Sequence, residues 1–199
     1  LGIFIGVTAV VSLIGLGSGL QAAVGAQFGI SSTQVITIQA GGLNSYGPPG
    51  SGAVNPLTVQ DTEAIERLST VDVAIPRNIE TVRAEYNNIL NIGYAVSVPY
   101  GEKKRRAWEL MDLDVEKGRL LQDSDTRKVV LGYNFGEEDN SFDKVVEVGS
   151  KILINDEKFE VVGILEKKGS LIFDNVILMN DDNLDDLVGY GDEVSLIGV

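Results

Sequence analysis

No Asp, Glu, Lys or Arg occurs in the first sixty residues of this chain, and the first charge is Asp61. Within that region Leu1 to Leu20 reads LGIFIGVTAVVSLIGLGSGL, interrupted only by Thr8, Ser12 and Ser18, whose hydroxyls can bond back to helix carbonyls. At about 1.5 Å rise per residue, some 20 apolar residues cover the ~30 Å hydrocarbon core of a bilayer, so the run predicts one transmembrane helix. A secretory signal peptide is the competing reading, but it requires a basic n-region and a small-residue cleavage site, and neither flank fits. The chain opens on Leu rather than Met, so it is read as a fragment. Gly2 and Gly6 form a GxxxG, the spacing that lets membrane helices approach closely, although glycine is common in spans generally.

The apolar spacing continues past Leu20. Ala22, Val24 and Phe28, interleaved with Gln21 and Gln27, predict that the helix runs on as a stalk over Gln21 to Phe28, closed by Gly29. Ser32 to Ala40 alternates as a strand, and Gly41 to Asn55 is a Gly/Pro/Ser-rich loop without the Gly-Lys-Ser/Thr ending of a phosphate-binding loop.

The rest of the chain is acidic, with a net charge of −13 that argues against nucleic acid as a partner and favours an extracytoplasmic position for a tethered domain. Cys and His are both absent, which removes disulfides, thiolate zinc sites, cysteine nucleophiles and every imidazole-dependent mechanism. The single basic run, Lys103-Lys104-Arg105-Arg106, reads either as a contact for lipid headgroups or phosphate or, more simply, as a solvated loop.

Beyond the loop, Thr58 and Asp61 have the spacing of a capping box and open a short helix with Ala64, Ile65 and Leu68 on one face. A strand over Val71 to Ile75, closed by Pro76, follows, then two antiparallel strands, Glu80 to Tyr86 and Asn91 to Pro99, around Asn87-Asn88. A denser charge pattern begins near Gly101, taken as a subdomain boundary. Trp108, Met111 and Val115 keep helical spacing; Lys128 to Gly132 is a buried strand; Lys151 to Ile154 and Lys158 to Leu165 form a hairpin. Asn175 to Met179 is a further strand, Asp182 to Val188 a short helix, and Glu193 to Val199 a final strand.

Paired carboxylates are the one enzymatic signal left to test. Asp123 and Asp125 flank Ser124 in a turn, and Glu137, Glu138 and Asp139 read as an exposed helix end, so both groups are taken as solvated surface. Asp181, Asn183 and Asp185, with Asp192 at the twelfth place, match the odd-position pattern of a calcium loop. Asp186 occupies the place where that loop needs glycine, and Leu184 and Leu187 suit a short amphipathic helix. No catalytic or cofactor-binding residue is assigned.

In order and spacing, these landmarks resemble the MacB-like permeases of ABC transporters. The similarity rests on the opening apolar helix, on Gly118-Arg119 followed by an acidic turn, and on Val129-Val130-Leu131-Gly132 entering a helix. Val148-Gly149 then opens a hairpin whose second strand reads Phe159-Glu160-Val161-Val162-Gly163-Ile164-Leu165. The resemblance implies an α+β fold: a transmembrane helix with stalk (1–28), a porter-like subdomain (29–100 with 190–199) and an inserted sabre-like subdomain (101–189). It further implies a permease subunit in the cell membrane, extracytoplasmic beyond about residue 29, that works with a second permease subunit. ATP and Mg would be bound by a partner ATPase, and the chain itself would not be an enzyme. The alternative expectation is a membrane-anchored binding or adhesion module using the Gly41 to Asn55 loop; a tethered glycosidase is a third.

Overall fold

The computed structural model describes residues 6–8, 10–16, 35–41, 48–50 and 53–199. Residues 6–8 and 10–16 are helical, and their apolar side chains face outward: Leu13 is 70% and Leu16 73% exposed. Among the described residues no helix is long and apolar enough to cross a membrane. Much of the expected span, including Gly2, and the whole stalk with Gln21, Val24 and Phe28 lie outside the described residues. Gly6 is described, and nothing lies within 4 Å of where its Cβ would be.

The strands are β1 (Thr37–Gln39), β2 (Leu57–Thr58), β3 (Ile75–Arg77), β4 (Ile79–Tyr86), β5 (Ile89–Val98), β6 (Val115–Gly118) and β7 (Lys128–Leu131). They continue with β8 (Lys151–Ile154), β9 (Glu157–Leu165), β10 (Val176–Asn180), β11 (Glu193–Val194) and β12 (Leu196–Gly198). Among the described residues, and beyond the N-terminal helical ones, three helices accompany them: α1 (Val59–Glu66), α2 (Gly101–Met111) and α3 (Asp181–Val188). Seven strands run in the order β6-β9-β7-β10-β5-β4-β8, and the additional pairing of β8 with β9 closes six of them into a ring, with β6 appended to β9. Closure leaves those six strands no free edge.

Side-chain alternation then sorts the apolar residues into two cores. Val82, Ala95, Leu131, Ile152, Phe159 and Ile177 come from the six ring strands and fill its interior, joined by Phe135, Phe142 and Leu184 from outside the strands. The alternate residues of the same strands, Val96, Val130, Val162 and Leu178 among them, form a second core with Leu113, Leu121 and Leu196, against which Trp108 and Met111 of α2 pack. β10 therefore reads as a continuous apolar run because both of its faces are buried.

A smaller three-stranded antiparallel sheet, β1-β12-β3, holds a third core of Ala74, Val194 and Ile197, with Ile65 of α1 against it. Strands β4 and β5 lie in the same sheet as β6 to β10, so the expected division at Gly101 falls inside the barrel. The chain passes from the small sheet into the barrel at Asn78, between β3 and β4; beside it, Ser195 separates β11, which pairs with β2 in a two-stranded ladder, from β12.

Several local expectations are corrected. Pro76 lies within β3 instead of ending a strand, because β3 is an edge strand whose outer side needs no N–H donor. Helix α2 stops at Met111 with Asp112 in the left-handed conformation, so Val115 belongs to β6 despite its helical spacing from Trp108. On α1, Thr62 is buried and Ile65 half-buried, while Ala64 and Leu68 are exposed. Both tight hairpins take the form their turn residues dictate, with Asn87-Asn88 and Asn155-Asp156 at positive φ. Glu137, Glu138 and Asp139 are exposed just after a short 3-10 turn, Tyr133–Gly136.

Candidate functional site

The basic run predicted as a loop is the body of α2, and its charges are spent within the molecule. Lys104 is buried, its Nζ 2.8 Å from Asp123 Oδ1 and 2.9 Å from Asn180 Oδ1, and it lies over the Tyr100 ring. Lys103 pairs with Glu66 of α1 at 2.9 Å, Arg106 pairs with Asp72, and Arg105 bridges Glu102 and Glu109 on its own helix. Two of these pairs tie the helix that covers the barrel to the α1 region beside the small sheet. Propensity and alternation could not separate this arrangement from a solvated loop, because the partners come from other parts of the chain.

Asp125, expected at a solvated turn, is instead a buried hub with a side chain only 2% exposed. It takes a bidentate pair from Arg119 (2.6 and 2.8 Å), the Gln122 N–H (2.8 Å) and Lys128 Nζ (2.9 Å). The two Arg119 bonds chiefly, helped by the Gln122 N–H and Lys128, hold its carboxyl well below the usual carboxylate range against the opposing effect of burial. Its backbone carbonyl accepts from Asn180 Nδ2 and Asn183 Nδ2. Asn180 sits at the N-cap of α3 yet makes no capping bond, since its side chain is committed to Lys104, Gln122 and Asp125.

The calcium candidates separate accordingly. Asn183 serves the Asp125 loop; Asp181 Oδ1 accepts the Tyr190 hydroxyl at 2.8 Å; Asp185 Oδ1 accepts the Gly191 N–H at 2.7 Å; and Asp192 contributes its carbonyl to Val59 N–H. Among the described residues no group of three or more His, Cys, Asp or Glu is placed to hold a metal ion.

A further set of contacts joins the two sheets around Asn78, where the chain crosses between them, and Ser195 beside it. Asn78 N–H donates to Ser97 Oγ (2.8 Å) and its Nδ2 to the Glu193 carbonyl (3.1 Å). Its Oδ1 accepts Ser195 N–H (2.8 Å), and Ile79 N–H donates to Ser195 Oγ (3.2 Å). Arg77 reaches across with a bond to the Ser97 carbonyl at 2.9 Å, with Met111 against the guanidinium. Burial of that guanidinium without a carboxylate in contact lowers its pKa to about 10, partly offset by the charge of Asp181. Asn78 thus ties Ser195, at the start of β12, to Ser97 of the barrel wall, which opposes independent movement of the two sheets. None of these residues was singled out from the sequence; only the abrupt Pro-Arg-Asn sequence at 76–78 could have drawn attention to them.

Comparison with known proteins bears on what such a domain is for. The profile of the MacB-like periplasmic core domain matches residues 1–199. The chain belongs to that family. The chain is 34% identical to an uncharacterized ABC transporter permease, MJ1507, of Methanocaldococcus jannaschii, over all of this chain and 48% of that protein. The macrolide export ATP-binding/permease protein MacB of Hahella chejuensis is 29% identical over 86% of this chain and 26% of its own length. The chain therefore spans about half the first relative and about a quarter of the second. Its fold is similar to the periplasmic region of MacB from Actinobacillus actinomycetemcomitans (TM-score 0.61, 16% identity, 84% of this chain and 74% of that one). It is likewise similar to the extracellular domain of the ABC-type transporter YknZ from Gram-positive bacteria (TM-score 0.60, 15% identity, 83% and 82%).

Proposed function

We propose that this MacB-like core domain is the extracytoplasmic part of an ABC permease subunit and that it carries ATP-driven movement outward from the membrane to export or release a substrate. The family match over residues 1–199 is the observation on which this reading rests. A charge-free N-terminal region whose described helical residues expose their apolar side chains supports a lipid-embedded origin for the movement. The crossing at Asn78, bonded to Ser195, supplies the stiffness a lever requires.

In this reading the subunit sits in the cell membrane beside a second permease subunit, and ATP and Mg bind to a partner ATPase. Movement begins in the helix of residues 1–28, crosses the small sheet of β1, β3 and β12, and reaches the barrel. The natural division of the domain is then small sheet against barrel, at Asn78. A rigid-body displacement of that kind converts a small shift at one end into opening or closing of a cavity at the other.

The stalk tests the idea directly. Paired glycines placed around Val24 in the complete permease, assayed with its ATPase, should leave basal ATP hydrolysis in place while abolishing its coupling to transport. Undiminished coupling would rule out a lever through this helix.

A further inference from the structure

Beside Asn78 and Ser195 lies a cavity of about 430 Å³, within the size range of small-molecule sites. Pro49, Pro56, Val194, Tyr190, Glu80 and Glu193 are among the residues that line it. The wall carrying Pro48 and Pro49 is fixed in place by Gly50, whose φ is +80° and whose absent Cβ would stand 2.8 Å from the Ser195 backbone. A side chain at 50 would therefore push that wall away from Ser195.

Elsewhere in this molecule basic residues repeatedly take acidic partners, as Lys103, Lys104, Arg106 and Arg119 do, but among the described residues no Lys or Arg pairs with Glu80 or Glu193. No undescribed residue has a cationic side chain to offer, since the first sixty residues contain none. Glu80 is half-buried, and its pKa is raised by burial and by the neighbouring Glu193 charge, as expected for like charges facing one space without a counter-ion. Neither side chain is spent on the bonds of the junction, where Glu193 takes part only through its backbone.

We infer that this cavity binds a small organic ammonium ion, with the charge held between Glu80 and Glu193 and the apolar body against Tyr190 and the proline wall. A positive charge there neutralises the pair, and the aromatic and proline surfaces favour an alkyl or aryl ammonium over a strongly hydrated inorganic ion. The site is independent of the lever: its loss would leave the coupling experiment at Val24 unaffected.

The probe is benzyltrimethylammonium, added to the ¹⁵N-labelled chain in detergent micelles and followed by amide chemical shifts. The expected result is saturable shifts confined to the vicinity of Glu80, Thr81, Tyr190 and Glu193. Phenylacetate, similar in size and opposite in charge, should give none. The E80Q/E193Q double variant should bind about tenfold more weakly or worse. Glutamine keeps the shape and removes a repulsion, and unchanged shifts at Leu184 and Ile177 in the barrel core establish that the variant is folded. Absence of saturation up to about 10 mM, equal response to phenylacetate, undiminished binding by the folded double variant, or tighter binding of calcium than of the organic cation would each overturn the inference.

Discussion

At the scale of single residues, Asp125 shows how a polar group that looks incidental comes to organise a fold. Its carboxylate is buried among Arg119, Lys128 and the Gln122 N–H, so removing it strands a partly buried guanidinium and an N–H. D125A should lower unfolding stability by about 3 kcal/mol, measured by urea denaturation at pH 7. Because the folded pKa is depressed, the carboxylate's contribution is complete above its unfolded value near ~4 and is lost as pH falls toward the folded value. Wild-type and D125A stability curves should therefore converge below pH ~4 and run parallel above pH ~5. The Asp-Ser-Asp turn itself was legible, but its burial was not. The groups that enclose it arrive from the loop after β6, from β7, β10 and α3, up to 58 positions along the chain, and no local pattern records them.

At the scale of elements, legibility followed the locality of the cause. The capping box of α1 is present in full, with Thr58 Oγ1 accepting from the Asp61 N–H and Asp61 accepting from the Thr58 N–H, because it involves four consecutive residues. The Asn-Asn and Asn-Asp hairpins were likewise visible, since few other residues accept positive φ at consecutive positions. The basic run failed as a loop prediction because Lys104 is neutralised by Asp123, nineteen residues on, and the helix then tolerates its burial. Gly118 and Gly163, both within stretches that carry the family resemblance, meet where β6 crosses β9. A Cβ on Gly163 would lie 2.3 Å from the Arg119 carbonyl oxygen, so the two backbones approach too closely for any side chain. G163A should cost at least about 2 kcal/mol, and its hydrogen-exchange protection should fall first in β6 and β9.

For the whole molecule, fold class and family were readable from ordered landmarks, whereas barrel closure was not. Closing the ring requires β8 to pair at once with its hairpin partner β9 and with β4, some 70 residues earlier, and alternation says nothing about which strands meet. Nor did charge texture locate the passage between the sheets. The change in composition near Gly101 reflects the exposed face of α2, while the passage itself is made by Asn78, Ser97 and Ser195, three small polar residues without a distinctive pattern.

That passage is where the account is most exposed to test, since a lever requires the small sheet and the barrel to move together. The chain has no cysteine, so, with any cysteine elsewhere in the permease and its ATPase replaced by serine, spin labels can be placed at L68C, beyond α1, and I92C, on the outer face of β5, both exposed in the parent. Pulsed electron paramagnetic resonance on the complete permease with its ATPase, the labelled subunit diluted into unlabelled, gives the distance between them without nucleotide and after trapping with ATP and vanadate. Transmission through a rigid domain predicts one narrow distance distribution, identical in both states. A shift or a second population on trapping would contradict it, placing the movement inside the domain instead of ahead of it.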